Sequence, residues 1–206
     1  MYSPRVTARV VLLAGASGSG KTSLTRRLGL PVLALDDFYR DADDGGTDPP
    51  LPRRFGIVDW DDPDSWDARA AAAAIEQLCR EGVADVPVYD IPTSRRTGTH
   101  RLDLAGAPLF VAEGIFAAEL VAPLRALPDG DRLLADALCL TLHPAVTFGR
   151  RLLRDLAEMR KPPLTLVRRG LALARSERGL VERWTRLGCR PCSVPDAEAS
   201  LRSLRA

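Results

Sequence analysis

Apolar and polar positions along this chain fall into two kinds of block. Short continuous apolar runs lie at 6–14, at Pro31–Leu35, at Pro108–Ala112 and at 133–142, the last with a late start at Ala137. Runs of that length predict buried strands of a parallel sheet. Longer stretches with helical spacing separate them. Residues 20–29 predict a helix closed by Gly29. Asp62-Pro63 reads as an N-cap with proline at the first helical position, opening a helix over 64–81 that Gly82 stops. Pro144 opens another helix, which ends before Pro162-Pro163, and a last one is predicted from Leu164 to Leu187. Two alternating runs, Val86–Ile91 and Thr99–Leu104, flank Ser94-Arg95-Arg96-Thr97-Gly98 and predict a β-hairpin on the rim of the sheet. Arg40 to Asp62, with Gly45-Gly46, prolines and many aspartates, predicts a long polar loop of functional or mobile character. The tail beyond Gly188, about 188–206, carries no decisive pattern. Alternation of strands and helices predicts an α/β fold, and 206 residues suit one domain over 1–206 rather than two.

Composition changes this picture little. Lys+Arg number 29 against 27 Asp+Glu, a net charge of +2, so no nucleic-acid surface is expected. The run at 6–14 is too short to span a bilayer and carries Arg9, so the chain reads as cytoplasmic with no membrane contact. Four cysteines in a chain large enough to fold without staples predict free thiols. Cys189-Arg190-Pro191-Cys192 lacks the second ligand pair that zinc wants and the strand-helix junction that a redox pair wants.

The chemistry begins at the end of the first apolar run. Gly15-Ala16-Ser17-Gly18-Ser19-Gly20-Lys21-Thr22 fits G-x-x-x-x-G-K-[ST], between a predicted strand and a helix opened by Ser23. Gly15, Gly18 and Gly20 let backbone N–H groups reach phosphate oxygens, with Ser17, Ser19 and Ser23 beside them, and the helix N-terminus favours the anion. Lys21 would reach the β- and γ-phosphates of ATP, and Thr22 would ligate Mg²⁺. Positive charge is otherwise almost all arginine; Lys21 and Lys161 are the only lysines, so a compact point charge stands where phosphate is expected. The chain has no asparagine, which removes the Asn-Lys-x-Asp guanine reader. Asp36, ending the second predicted strand, is the candidate base, with a solvated or capping aspartate as the equal alternative. Glu113 ends a buried strand, where a carboxylate is costly unless it is paired or touches metal, and so is the candidate Mg²⁺ acid. Arg150 and Arg154 share a helix face beside Arg151, either as a phosphate clamp or as a solvated face paired with Asp155 and Glu158.

Five further stretches carry a resemblance. Asp36-Asp37-Phe38-Tyr39 resembles D-S-F-Y of the uridine kinase family, and Asp59-Trp60-Asp61-Asp62-Pro63-Asp64-Ser65-Trp66-Asp67 its N-F-D-H-P-D-A-F-D. Pro87-Val88-Tyr89-Asp90 matches P-x-Y-D, Glu113-Gly114-Ile115 matches E-G-I, and Arg150-Arg151-Leu152-Leu153-Arg154-Asp155 resembles R-R-x-x-R-D of a lid helix. In family order they cover most of residues 9–161. The resemblance implies a three-layer P-loop kinase fold with a parallel sheet of about five strands, a rim hairpin and a helical lid near 155–163. It implies Asp36 as the base for a ribose 5′-hydroxyl, Asp61 as holder of the 2′- and 3′-hydroxyls, and Tyr39 and Tyr89 as walls of the nucleoside site. Arg151, Arg154 and Lys161 match lid positions over the phosphates, with Arg151 also on the substrate side, and a lid that expels water favours transfer over hydrolysis.

Two departures matter. Where the family reads Y-D-F-V-S-H, this chain has Tyr89-Asp90-Ile91-Pro92-Thr93-Ser94, without the aromatic wall or the pyrimidine-reading histidine; His100 is the nearby substitute. The lid reads Glu158-Met159-Arg160-Lys161-Pro162-Pro163 where the family has two arginines around a glycine. The expectation is an ATP- and Mg²⁺-dependent uridine or cytidine kinase. The alternatives are a related kinase for another hydroxyl acceptor and an ATP-binding regulator. Relatedness also brings in a homo-oligomer, for which the sequence offers no exposed apolar stripe.

Overall fold

In a computed structural model, the residues described are 6–16, 18–42, 50–54, 57–141 and 179–205. Five strands form one sheet in the order β2-β7-β1-β8-β9, every neighbouring pair parallel. They are β1 (Arg9–Ala14), β2 (Val32–Ala34), β7 (Leu109–Gly114), β8 (Leu134–Leu140) and β9 (Arg190–Cys192). Side chains alternate across a strand, so β1 feeds two cores. Val10, Leu12 and Ala14 pack with Ala71, Ile75 and Leu78 of α2 (Ala68–Glu81) and Leu124 of α3 (Val121–Arg125). Val11 and Leu13 pack with Leu24 and Leu28 of α1 (Lys21–Leu28) and with Ala197 and Leu201 of the C-terminal helix, Val194–Arg205. Helices therefore cover both faces of the sheet, whose central strands β1 and β7 are buried, a three-layer α/β architecture. Among the described residues no helix is long and apolar enough to cross a membrane.

The predicted hairpin forms, with β5 (Val83–Asp90) and β6 (Arg95–Asp103) antiparallel, but in a two-stranded sheet of their own and not on the rim of the main sheet; its turn lies at 91–94, and 95–98, expected in the loop, belong to β6. Gly29 and Gly82 close α1 and α2 in left-handed conformations, as expected. The predicted helix over 64–81 needs correction. Asp62 does cap, accepting the Asp64 amide at 3.0 Å, but only the 3₁₀ turn Pro63–Ser65 follows. Trp66 then turns extended, because its buried indole Nε1 donates to the Leu35 carbonyl at 2.7 Å, and α2 starts afresh behind its own cap, Asp67. Inside the long polar loop lies a small ribbon, β3 (Arg53–Arg54) against β4 (Ile57–Val58). The strand expected over 133–142 runs Leu134–Leu140, because Leu133 still belongs to the helical turn α4 (Gly130–Leu133).

The tail is structured rather than patternless. β9 adds the fifth strand at the edge of the sheet, where Pro191 is tolerated. Ser193 then opens the last helix through a capping box: its amide and hydroxyl reach Asp196 Oδ2 at 3.4 and 2.6 Å, and the Asp196 amide returns to Ser193 Oγ at 3.3 Å. The four cysteines are free and buried, and burial pushes the Cys189 thiol up to about 12. The helix opened by Pro144 and the lid lie outside the described residues, as does most of the predicted last helix, of which 179–186 is helical.

Candidate active site

In a parallel sheet all strands point one way, so the chain leaving β1, β2 and β7 emerges on one edge, where open α/β sheets bind ligands. The first of these exits is the glycine-rich loop. Gly18 and Gly20 sit at φ of 82° and 96°, which lets the loop fold back and the Ser19 amide donate to the Ala16 carbonyl at 3.0 Å. Lys21 arches over it, Nζ donating to the carbonyls of Gly15 at 2.6 Å and Ala16 at 3.3 Å. A Cβ on Gly15 would lie 2.6 Å from Ser19 Oγ, so the concavity exists only because Gly15 lacks one. Ser19 Oγ is buried and makes no hydrogen bond. The cradle fits an anion: a lysine, a helix N-terminus and an unsatisfied hydroxyl converge on it.

Beside it, Thr22 Oγ1 donates to Glu113 Oε1 at 2.8 Å, across 91 residues of sequence. Glu113 Oε2 is buried without a hydrogen-bond partner. Burial pushes the Glu113 carboxyl up, against the Thr22 bond and Lys21, while Asp36 pushes the same way as burial. An orphaned carboxylate oxygen next to a hydroxyl is a hard-oxygen donor pair, which fits Mg²⁺. Asp36 arrives from the neighbouring strand. Ala34 pairs with Glu113, and the 3₁₀ turn Leu35–Phe38 follows at once, bringing Asp36 against Gly114. Its carboxyl keeps an opening to solvent yet is crowded by protein; burial pushes it up, Lys21 pulls it down, and Asp37 pushes it up again. A carboxylate with raised proton affinity suits a general base.

Next to the carboxylates stands an aromatic wall. Tyr39 lies 5.6 Å from Trp60, 5.7 Å from Tyr89 and 6.0 Å from Phe116, centroid to centroid, and Trp60 lies 6.4 Å from Tyr89. The Tyr39 hydroxyl donates to the Trp60 carbonyl at 3.2 Å. Burial, then the charges of Asp36 and Asp61, push that hydroxyl far up, which places Asp36, Tyr39 and the exposed Asp61 in one neighbourhood. Sequence reasoning missed Trp60 and Phe116; an aromatic directly before Asp61 and another three residues past Glu113 were the available signals.

The structure thus brings together Gly15, Gly18, Ser19, Gly20, Lys21 and Thr22 with Glu113 and Asp36, and sets Tyr39, Tyr89 and Asp61 beside them. Ser23 is exposed in the first turn of α1. Ser17, Arg151, Arg154 and Lys161 lie outside the described residues. His100 is exposed opposite Val86, whereas Tyr89 pairs with Arg96, about 13 Å further along β6 at strand spacing. It does not approach the hairpin tip. At that tip Ile91 is exposed, Thr93 Oγ1 donates to Asp90 Oδ2 and Ser94 Oγ donates to the Ile91 carbonyl at 3.4 Å.

No protein-family model matches the chain. It is 33% identical over 178 residues to a protein named uridine kinase from Deinococcus deserti, covering 81% of this chain and 77% of that one. It is 26% identical over 158 residues to a protein named uridine kinase from Lactobacillus helveticus, covering 72% and 68%. Among solved structures it superposes on one described as a fructose transport system kinase from Silicibacter sp. TM1040, with a TM-score of 0.60 and 23% identity over 86% of this chain and 88% of that one. This last likeness speaks for the P-loop kinase fold alone.

Proposed function

The chain belongs to the uridine kinase family, a phosphotransferase lineage with alcohol acceptors, and from that premise we propose that it moves the γ-phosphoryl group of ATP to the 5′-hydroxyl of uridine or cytidine. The observation that supports this most is the position of Asp36, within electrostatic reach of Lys21 on the phosphate side and of Tyr39 on the aromatic side. Asp36 would accept the hydroxyl proton as the new O–P bond forms and the bridging bond to ADP breaks. Lys21 would neutralise charge on the phosphates. Thr22 and Glu113 would hold Mg²⁺, whose charge would screen the transferring phosphoryl group. Asp61 would grip the ribose cis-diol, with Tyr39, Trp60 and Tyr89 against the sugar and base. Arg151, Arg154 and Lys161 would close over the phosphates.

The hairpin tip favours a second reading. With Ile91 exposed and the Thr93 and Ser94 hydroxyls bonded back onto the turn, positions 91–94 offer a pyrimidine neither an imidazole nor a ring beyond Tyr89, so another hydroxyl acceptor is the alternative. The test is ADP release from ATP·Mg²⁺ with uridine, cytidine, purine nucleosides and pantothenate in turn, the product identified by mass and Asp36→Ala as control. Turnover on uridine or cytidine that Asp36→Ala abolishes supports the first reading. Turnover only on another acceptor discards it.

A further inference from the structure

Beyond the acceptor's identity, but resting on the reading of Asp36 and Tyr89 as groups of one site, we propose that Asp37 is a positioning residue that staples the acceptor-side hairpin to the turn carrying Asp36. The β5–β6 register shifts between Val88 and Tyr89, and at that shift the Tyr89 amide donates to Asp37 Oδ1 at 3.2 Å, spanning 52 residues. Such a shift re-aims a side chain. Here the extra residue is Thr97 of β6, facing the step from Val88 to Tyr89; Tyr89 lies against Tyr39, and the Tyr89 hydroxyl donates in turn to the Arg40 carbonyl at 3.1 Å. Tyr89 is therefore held at both ends by the segment that begins with the candidate base.

The opposite strand repeats the connection. The Arg96 amide donates to Asp41 Oδ1 at 2.7 Å, Arg96 Nε donates to the Tyr39 carbonyl at 3.2 Å, and the Ala42 amide donates to the Ser94 carbonyl at 2.9 Å. Hairpin tip and base segment form one unit, although the hairpin shares no ladder with the main sheet. The resembling D-S-F-Y motif has serine at position 37. Serine is one atom shorter than aspartate and would avoid the like charge beside Asp36; the longer side chain is what reaches the Tyr89 amide. A bridge of this kind fixes the acceptor wall relative to the reacting hydroxyl, where small displacements cost large factors in rate.

Two variants separate the reach of Asp37 from its charge: Asp37→Asn keeps an acceptor oxygen, and Asp37→Ala removes it. In the full chain without nucleotide, hydrogen exchange followed by NMR should show the Tyr89 amide protected in wild type and Asp37→Asn, and exchanging about tenfold faster in Asp37→Ala, the worth of one hydrogen bond. Amides of β1 and β7 should keep wild-type rates in all three, which establishes that the fold is intact. With the best-used nucleoside of the assay above, Asp37→Ala should lower the acceptor kcat/KM about tenfold, through kcat as well as KM, with the ATP KM unchanged, and Asp37→Asn should restore it. Equal Tyr89 exchange in the three proteins, or a parallel rise of both KM values, overturns the proposal. Failure of every nucleoside as acceptor sinks the reading of the substrate instead, and the exchange result still decides the role of Asp37.

Discussion

Replacing Gly114 by alanine would place a Cβ 2.8 Å from Leu35 Cβ and 3.3 Å from Asp36 Oδ1. Ordinary carbon contacts lie at about 3.5–4.0 Å, so the first approach is about 1 Å too close. Gly114 has no positive φ, so no backbone strain adds to the crowding, which is opposed only by the about 0.4–1 kcal/mol that alanine gains from a less disordered unfolded chain. Leu35 cannot retreat: it is 1% exposed, and its carbonyl receives the Trp66 indole. The turn carrying Asp36 must move instead. Overpacking of this kind costs about 1–3 kcal/mol, which for a chain of this size lowers Tm by about 2–4 °C per kcal/mol. A displacement of about 1 Å at a reacting group costs about 100-fold in rate. Activity should therefore fall much further than stability. Scanning calorimetry and kcat/KM on the best acceptor measure the two, with Gly98→Ala as control, because a Cβ there meets nothing within 4 Å. Wild-type kcat/KM and Tm in Gly114→Ala would refute the idea that Glu113-Gly114 sets the position of Asp36.

Three further outcomes are expected. Both Asp36 and Glu113 are pushed above their ordinary values, so the folded chain holds these protons more tightly than the unfolded one. Their contribution to stability is present below the ordinary carboxylate range and is lost as pH rises through the elevated folded values. Asp36→Asn should thus raise Tm of the nucleotide-free protein at neutral pH, and thermal melts at decreasing pH should show the gain shrinking towards the reference value of 3.8; a gain independent of pH would contradict this. Thr22→Ala removes the hydroxyl partner of Glu113, so the extra thermal shift that ATP gives with Mg²⁺ over ATP with EDTA should vanish while a shift with ATP remains. Leu201→Ala, in the fully buried face of the C-terminal helix, should cost about 2–5 kcal/mol by urea unfolding with m unchanged, and a loss under about 1 kcal/mol would mean that the tail is dispensable.

The parts of this molecule legible in the sequence are those decided over short range. Gly18 and Gly20 take left-handed conformations wherever they occur in such a loop, Lys21 and Thr22 follow within two residues, and the unbroken apolar runs of β1 and β7 have no stable place except inside a sheet. Gly29 and Gly82 act on their own turns and are found as expected, and Asp62 caps its own turn although the helix expected after it starts only behind Asp67. The capping box at Ser193-Val194-Pro195-Asp196 was equally local and was there to be read. β9 was not: three residues with a proline in the middle carry no periodicity, and they become a strand only because β8 offers an open edge. Trp66 leaves the helix predicted for it because a carbonyl 31 residues earlier accepts its indole N–H. The same holds at the site. Each reactive group could be named from type and order, but the Thr22–Glu113 bond, the crowding of Asp36 against Gly114 and the tie from Asp37 to Tyr89 join residues 52 to 91 positions apart. Local chemistry dictates which elements form and which side chains they carry; which of those side chains meet depends on parallel strand order and register, which only the packed sheet fixes.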